Sequence, residues 1–393
     1  MSVSKIRDAI RGVGVEDTTL DLFESQYPVP EGVTYNSYVI LDEKVAVLDT
    51  VDARATEAWM ANLDQALEGR TPDYLVVSHM EPDHGANIAR LAARYPEMKV
   101  VGNAKTFAFM DQFFGAAAVA AGRRVVVKEG DTLSLGAHTL QFVFAMMVHW
   151  PEVMMTYEQS EKVLFSADAF GRFGSADAAG GHDAWVGEAR RYYLNIVGKY
   201  GPQVQTVLKK AAGLDIASIC PLHGPVLTGD LAPYLQDYQT WSTYQPEAPQ
   251  EVLVASASIH GNTRAAAHQM AEKLRAQGAQ VTELDLTRTD VSYAVAEAFR
   301  CGKLVLASAT YDGFLFPPME EFLTHLKTKS FQSRTVGLME NGTWAPMAAK
   351  LMRGMLEGMK NITVCDAAVT LRSAANAASE AQMDALAAEL LAK

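Results

Sequence analysis

Strand and helix patterns alternate from residue 251 to the end of the chain, and this alternation is the strongest constraint on the fold. Each apolar segment rich in β-branched residues predicts a strand, and the amphipathic segment that follows it predicts a helix. The predicted strands are EVLVAS (251–256), QVTELDL (280–286), KLVLAS (303–308), TVGLME (335–340) and NITVCD (361–366). Consecutive βα units form a parallel sheet covered by helices, because right-handed crossovers return each strand to the same sheet. Residues 251–393 are therefore predicted to form a doubly wound five-stranded parallel sheet.

Residues 1–245 have a different pattern, in which strands dominate and helices are inserted between them. NSYVIL (36–41) and KVAVLDT (44–50) predict a hairpin, and residues 53–67 predict a helix. Many strands with inserted helices are typical of two packed sheets with helices outside. The polar, proline-containing segment YQPEAPQ (244–250) predicts a linker between two domains, a number that the length of 393 residues also favours.

Charge and cysteine content narrow the class of protein. The net charge of −12 argues against a nucleic-acid partner, because an acidic surface repels a polyanion. The three cysteines, Cys220, Cys301 and Cys365, form no CxxC pair, which argues against a disulfide scaffold or a cysteine-ligated cluster. No segment resembles a signal peptide or reaches the roughly 18 apolar residues of a membrane helix, so we expect a cytoplasmic protein without a membrane contact.

The segment VVSHMEPDHGANI (76–88) concentrates imidazoles and carboxylates directly after the buried strand pattern DYLVVS (73–78). These groups lie on the loop at the carboxyl end of that strand, and such a loop suits two metal ions side by side. Three further candidates also follow predicted strands, and together they have the nitrogen and oxygen ligands that hard and borderline metals prefer. The seven candidate ligands are His79, Glu81, Asp83, His84, His149, Asp168 and His223.

These residues, in this order, resemble the metallo-β-lactamase-like core of the flavodiiron proteins. YNSYVI, TYEQSEKVLFSADAFGRFG and RRYYLNI are similar to that family as well. The resemblance extends over essentially the whole chain, and it implies an N-terminal αββα sandwich followed by a flavodoxin-like domain. Glu81 stands where the wider superfamily usually has a histidine and usually binds zinc, and the added carboxylate favours iron.

By this resemblance the seven candidates divide between two iron ions. One iron is expected to take His79, Glu81 and His149, and the other Asp83, His84 and His223. Asp168 is expected to bridge the two ions. The same resemblance places Tyr193 and Tyr27 along the substrate pocket, as candidate catalytic residues.

The first βα turn of the second domain, SASIHGNTRAAA (256–267), has the composition of a phosphate-binding loop. Its Ser, Asn and Thr side chains offer donors, its glycine allows close approach, and the start of the following helix adds its dipole. The loop has no lysine, so it is not a nucleoside-triphosphate P-loop. The predicted residues here are Ser258, Ile259, His260, Gly261, Asn262 and Thr263.

Two later βα loops, SATYDGFLFPP (308–318) and ENGTWAP (340–346), each carry an aromatic residue, glycine and backbone donors. All three loops resemble those of flavodoxin-like domains that bind FMN. Tyr311 or Trp344 is predicted to stack on the isoalloxazine ring. The predicted residues of the later loops are Thr310, Tyr311, Asp312, Gly313, Asn341, Gly342, Thr343 and Trp344.

The resemblance implies an oxidoreductase that passes electrons from FMN to a diiron centre, which reduces dioxygen to water, nitric oxide to nitrous oxide, or both. The chain ends without a CxxC rubredoxin module, so the expected electron donor is external, either rubredoxin or a reduced deazaflavin. The expected assembly is a head-to-tail homodimer, or a tetramer built from it. Two alternatives remain: a dizinc hydrolase of the metallo-β-lactamase type fused to a flavodoxin, and a non-enzymatic electron carrier with a structural metal.

Overall fold

Two β-sheets build the first of two units, which span Met1–Gln239 and Thr240–Lys393. The computed structural model describes residues 3–177 and 179–393. Within these residues, no helix is both long and apolar enough to cross a membrane. The seven strands of the first sheet are, in spatial order, Ser4–Lys5, Ile10–Gly12, Tyr38–Leu41, Val45–Leu48, Tyr74–Val76, Lys99–Gly102 and Arg124–Val126. The six strands of the second sheet are Thr132–Ser134, Thr139–Phe144, Met154–Glu158, Val163–Phe165, Ser218–Cys220 and Leu227–Thr228.

The two sheets of the first unit share one apolar core. Leu48 and Val76 of the first sheet belong to the same buried cluster as Phe142 and Phe165 of the second. On its other face, the first sheet packs against helices that contribute residues such as Trp59. The helices up to the end of this unit are Thr56–Leu67, Pro82–Gly85, Ile88–Arg94, Ala104–Phe114, Gly181–Tyr192, Gly201–Ala211 and Ala232–Ser242. This arrangement confirms the predicted sandwich of two sheets with helices outside.

Two small two-stranded sheets also belong to the first unit. Val15–Asp17 pairs with Val33–Tyr35, and Leu22–Phe23 pairs with Tyr27–Pro28, both antiparallel. A π-helical turn, Tyr193–Val197, follows directly after the helix Gly181–Tyr192. Such turns insert one extra residue into the helical register, and they are frequent at functional sites.

The second unit contains a five-stranded sheet in which all neighbouring strands are parallel. In spatial order its strands are Val281–Asp285, Ala248–Ala257, Cys301–Tyr311, Thr335–Asn341 and Thr363–Leu371. Its helices are Asn262–Ala276, Val291–Arg300, Pro317–Thr328, Ala348–Glu357 and Ala377–Ala392. The sequence order of the strands reverses beside the first strand, and doubly wound sheets bind ligands at this switch point. The predicted flavodoxin-like sheet is confirmed.

The segment 244–250, predicted as a linker, merges into the first strand of the second unit. Ala248 pairs with Cys301, and the register shifts before Val252, so the strand begins before the apolar run that predicted it. Gly302 makes this extension possible, because a Cβ atom there would lie 2.1 Å from the carbonyl oxygen of Pro249. The predicted domain boundary itself stays a prediction.

We expect Gly302→Ala to destabilise the second unit by about 1–3 kcal/mol, because the added methyl group forces the Pro249 backbone away from the neighbouring strand. Gly354→Ala is the matched control, since Gly354 lies in the helix Ala348–Glu357 with no atom within 4 Å of an added Cβ. The control should raise stability by up to about 1 kcal/mol. Unfolding midpoints of the full chain, followed by circular dichroism, test both changes. Equal midpoints for the two variants would contradict the close approach.

Candidate functional site

Four of the seven candidate ligands lie just beyond the strand Tyr74–Val76. His79 and Glu81 belong to the loop that leaves this strand, and Asp83 and His84 belong to the short helix Pro82–Gly85. Pro82 occupies the start of that helix, where its missing N–H costs no hydrogen bond. The change from loop to helix therefore turns the two pairs of side chains in different directions.

The other three candidates follow strands of the second sheet. Asp168 comes after Val163–Phe165, and His223 comes after Ser218–Cys220. These two strands are parallel neighbours, so their carboxyl ends meet at one edge of the sheet. His149 lies on the loop between Thr139–Phe144 and the next strand.

The seven side chains form two groups, and within each group the ligand atoms all lie within 4.8 Å of one another. In the first group, the Nε2 atom of His149 lies 3.1 Å from a carboxylate oxygen of Glu81 and 3.1 Å from Oδ2 of Asp168. The groups are His79, Glu81, His149 and Asp168, and Asp83, His84 and His223. The structure thus brings together all seven residues that the sequence singled out.

Asp168 faces both groups with different oxygen atoms. Its Oδ2 atom lies 3.1 Å from Nε2 of His149, and its Oδ1 atom lies 3.2 Å from Nε2 of His84. Oδ1 also lies 3.9 Å from Nε2 of His223. One carboxylate therefore spans the two groups, as a bridging ligand must.

Several polar atoms of the cluster lack hydrogen-bond partners within the described residues of the protein and are placed as metal ligands would be. Both carboxylate oxygens of Asp83 and the Oδ1 atom of Asp168 are buried and accept no hydrogen bond from a protein donor. The Nε2 atoms of His84 and His223 face each other at 3.1 Å. Buried acceptors without donors are costly in a folded protein, and a cation bound among them removes that cost.

The electrostatics of the metal-free cluster lead to the same conclusion. Burial lowers the pKa of His149, but hydrogen bonds with Asp168 and Glu81 outweigh it and raise the pKa to about 9. Burial raises the pKa of Glu81, but His149 and His79 outweigh it and lower the pKa to about 2. The ionised carboxylates thus demand positive charge, which protonated imidazoles supply in the absence of metal.

Hydrogen bonds outside the cluster orient two of its imidazoles. The Nδ1 atom of His79 donates to Oε1 of Glu152 at 2.8 Å, and Nδ1 of His223 donates to the carbonyl oxygen of Thr34 at 2.6 Å. These bonds leave the Nε2 atom of each ring free to face the cluster, as in many metal sites. Glu152 is fully buried and also accepts from the backbone N–H of Met80. Glu152 is not among the residues predicted from the sequence, although it lies three residues after His149.

The two predicted pocket tyrosines are buried in the first unit. The hydroxyl of Tyr27 donates to the carbonyl oxygen of Asn195, and the ring of Tyr193 packs edge-on against Tyr238. Their catalytic role stays a prediction. The neighbouring Tyr192 has its ring 5.5 Å from that of His223, and its pKa is well above the ordinary value because of burial and repulsion from Asp168. Sequence alone could not separate Tyr192 from Tyr193, since the π-helical turn begins between them.

The second unit holds a cavity of about 600 Å³ at the carboxyl ends of its strands, a volume ordinary for a cofactor site. All the residues predicted to bind FMN line this cavity except Gly261. Gly261 instead has a positive φ of 95° and begins the helix Asn262–Ala276, while its N–H donates to the hydroxyl of Ser258. The cavity is also lined by three residues that were not predicted from the sequence, Ala309, Ala345 and Ser373.

Asn341 connects three of the loops around the cavity. Its amide nitrogen donates to the Thr263 hydroxyl at 3.3 Å and to the Ser373 carbonyl at 2.9 Å. Its amide oxygen accepts from the backbone N–H of Ser373 at 3.1 Å. Tyr311 and Trp344 stand exposed at the mouth of the cavity. A helix start on one side and exposed rings on the other suit a ligand with a phosphate and a flat aromatic system.

Comparison with known proteins finds similarity over both units. A family model described as ODP family beta lactamase matches residues 33–224. The rubredoxin-oxygen oxidoreductase of Megalodesulfovibrio gigas is 30% identical over 368 residues, which cover 91% of this chain and 90% of that protein. The nitric oxide reductase of Moorella thermoacetica is 28% identical and covers 90% of each chain. The crystal structure of the flavodiiron protein from Giardia intestinalis has a TM-score of 0.92 at 22% identity, covering 100% of this chain and 97% of that one.

We expect Glu152→Gln to weaken metal binding by about 10- to 100-fold, because it removes the buried negative charge that supports His79. Glu158→Gln is the matched control, since Glu158 is also fully buried but accepts its hydrogen bonds from the backbone of Ser160 and Glu161. Competition against a chromogenic chelator measures the affinity of each full-length protein for Fe²⁺. If both variants bind as tightly as the wild type, Glu152 does not support the site.

Proposed function

The chain belongs to the flavodiiron protein family, and on this premise we propose that it is an FMN-dependent diiron reductase of dioxygen, nitric oxide or both. The observation that carries the proposal is the carboxylate of Asp168, whose two oxygens face two separate groups of ligands. A carboxylate placed between two groups of ligands is suited to join two metal ions, whereas a single-metal site has no use for the second group. The carboxylate of Glu81 in the first group favours iron over zinc.

The assignment of residues to the two ions follows the two groups. We propose that His79, Glu81 and His149 hold one iron, that Asp83, His84 and His223 hold the other, and that Asp168 bridges them. Glu152 and the carbonyl of Thr34 keep the imidazoles in the tautomer that presents Nε2. Six of the seven side chains are buried and Glu81 is partly exposed, so the protein limits the contact of the proposed centre with bulk water.

The cavity of the second unit fits FMN. We propose that the start of the helix Asn262–Ala276, with Ser258 and Thr263 beside it, binds the phosphate. Tyr311 and Trp344 lie where they can flank the isoalloxazine ring. When bound, FMN and iron supply the electrons that reduce the diatomic gas. Dioxygen takes four electrons and four protons to give two waters, and two nitric oxide molecules take two electrons and two protons to give nitrous oxide and water.

The hydrolase alternative is not favoured, because relatives that match nearly the whole chain are named as reductases. Zinc has no redox chemistry, so a dizinc centre could not accept electrons from a flavin bound in the second unit. The external donor, rubredoxin or a reduced deazaflavin, belongs to the same proposal, since the name of one relative joins rubredoxin to oxygen reduction.

We further propose a head-to-tail homodimer, in which the flavin of one copy lies beside the metal centre of the other. Each unit has exposed apolar side chains close to its own site. In the second unit Ile259, Tyr311 and Trp344 line the mouth of the cavity, and Trp344 is 87% exposed. In the first unit, Met146 on the loop that carries His149 is also exposed. Apolar surface of this kind is typical of protein interfaces.

Anaerobic single-turnover kinetics test the proposed reaction. The iron-loaded, fully reduced protein is mixed separately with dioxygen and with nitric oxide, and flavin absorbance is followed. We expect at least one gas to reoxidise the flavin much faster than in the metal-free protein, because electrons leave through the metal centre. The faster gas identifies the preferred substrate. If neither gas reacts faster than in the metal-free control, the reductase proposal is wrong and a hydrolase becomes the better hypothesis.

Mixed dimers test the head-to-tail arrangement. Asp168→Ala removes the bridging ligand, and Ser258→Trp fills the proposed phosphate site, so each pure variant should be inactive. A mixed dimer isolated through two different tags should regain activity, because one flavin then faces one intact metal centre. A differently tagged dimer of Asp168→Ala with itself is the control. An inactive mixed dimer, with one flavin and one loaded metal centre, would contradict the arrangement.

A further inference from the structure

Trp150 lies on the loop of residues 145–153, which carries the candidate ligand His149. The N–H of Met147 donates to the carbonyl oxygen of Trp150 at 2.7 Å, and the N–H of Val153 donates to the same oxygen at 3.4 Å. These bonds close the loop on itself. They therefore fix the backbone of Trp150 directly beside a residue of the first ligand group.

The loop is also anchored to the helix Ala104–Phe114. The side-chain amide of Asn103, the residue before this helix, donates to the carbonyl oxygen of Glu152 at 2.6 Å. The ring of Phe109, on the helix, meets the indole of Trp150 edge-on, with ring centres 6.2 Å apart and planes at 81°. The backbone and the indole ring of Trp150 are therefore both held by fixed parts of the first unit.

The indole ring of Trp150 meets both imidazoles of the first ligand group edge-on. Its centre lies 5.2 Å from that of His79, with planes at 88°, and 6.3 Å from that of His149, with planes at 72°. The two imidazoles also meet each other edge-on, with ring centres 5.2 Å apart. The three rings therefore form a closed set of edge-to-face contacts, a geometry that aromatic rings favour.

His149 depends on ring contacts more than His79 does. Nδ1 of His79 has a carboxylate partner, Glu152, at 2.8 Å. Within the described residues, Nδ1 of His149 makes no hydrogen bond to the protein, and its polar contacts run through Nε2 toward carboxylates of the cluster. A histidine that binds a metal usually donates from its other nitrogen to an outer partner, which fixes the plane of the ring. The ring plane of His149 is therefore set by packing against Trp150 and His79.

The second ligand group has aromatic neighbours of its own. The ring of Phe23 meets that of His223 edge-on, with ring centres 5.3 Å apart and planes at 86°. Phe23 leads into a tight turn in which Glu24 and Ser25 have positive φ angles of 49° and 57°. Among the described residues, Trp150 has ring contacts with the first group and with a helix, and none with either imidazole of the second group. Each group is therefore packed against different aromatic side chains.

We propose that Trp150 is the positioning residue of the first ligand group, and that its indole ring holds the imidazoles of His79 and His149 in the orientation that one metal ion requires. This inference rests on the proposed two-metal centre. Trp150 supplies no ligand atom in this role and transfers no electron or proton. An imidazole that is already oriented loses less freedom when it binds a metal, so loss of the indole ring should weaken one ion and spare the other.

Binding of Co²⁺ tests the proposal without any turnover, because Co²⁺ accepts nitrogen and oxygen ligands and shifts the NMR signals of protons on its ligands. His79 and His223 each carry an Nδ1–H that is bonded to a protein acceptor, the first to Glu152 and the second to the Thr34 carbonyl. The two shifted N–H signals therefore report the two ions separately. At saturating Co²⁺, Glu152→Gln identifies the His79 signal, because it changes the acceptor of that proton alone.

Trp150→Leu removes the aromatic ring from the first group. We expect it to weaken binding of the first ion by about 10-fold, at the lower end of the effect of outer partners, so that the His79 signal appears only at higher Co²⁺ concentration. The His223 signal should appear as in the wild type. Trp150→Phe keeps an aromatic ring at this position and should restore most of the lost affinity.

Phe23→Leu is the matched control, since Phe23 contacts His223 and, within the described part of the chain, has no ring contact with the first group. It should leave unchanged the Co²⁺ concentration at which the His79 signal appears. Unfolding midpoints of the metal-free proteins, followed by circular dichroism, complete the comparison. A residue that only stabilises the fold would lower the midpoint and weaken both ions together.

Failure of this inference is distinguishable from failure of the proposal on which it rests. If Trp150→Leu leaves the His79 signal unchanged, or weakens both signals equally, Trp150 does not position the first group. If Trp150→Phe loses as much affinity as Trp150→Leu, the ring contact is not the cause, and the inference is wrong. If the wild type binds fewer than two Co²⁺ ions, the two-metal centre itself is wrong, and this inference fails with it.

Discussion

The carboxylate of Asp168 between two histidine groups is the interaction on which the candidate site depends. It is buried among imidazoles, with Oδ2 toward His149 and Oδ1 toward His84. Burial raises its pKa, but His79 and His84 outweigh burial and hold the pKa well below the ordinary value. An ionised carboxylate in such surroundings is tolerated only when positive charge stays beside it. The cluster therefore needs either protonated imidazoles or metal ions, and metal ions satisfy the buried oxygens of Asp83 as well.

The framework of the fold explains why these groups can meet. Candidate ligands that are distant in sequence converge because the strands that precede them end at neighbouring positions, as Val163–Phe165 and Ser218–Cys220 do. Backbone hydrogen bonds between the strands fix these positions, and these bonds do not depend on which side chains follow the strands. The second unit uses the same principle with loops after parallel strands, where Asn341 fixes the loops to one another. Both sites thus lie at carboxyl ends of strands, where loop residues can vary without loss of the core.

Sequence patterns predicted most strands and helices, and they singled out the seven side chains that the structure brings together, because those signals are local. The strand pattern at 73–78 and the cluster of imidazoles and carboxylates at 79–84 are contiguous, so a short stretch of sequence is enough to predict the strand and the candidate ligands that follow it. Glu152, Tyr192 and Ser373 were missed because their roles depend on contacts with residues far along the chain. The start of the strand Ala248–Ala257 was missed for a similar reason, since Gly302 allows its close approach. Local pattern therefore identifies candidate groups for chemistry, and tertiary packing decides which residues contact and orient them.

Support by packing also explains how the strained turn at Glu24 persists. A turn with two non-glycine residues at positive φ would be marginal by itself, but Phe23 and Tyr27 are buried beside the cluster and hold its ends. The stability that their burial contributes, about 1.5–3 kcal/mol for a large apolar side chain, is comparable to the strain of the two residues at positive φ. The strain of the turn and the burial of the residues beside it therefore belong together, because the same aromatic contacts that fix Phe23 against His223 also hold the turn in its unfavourable backbone conformation.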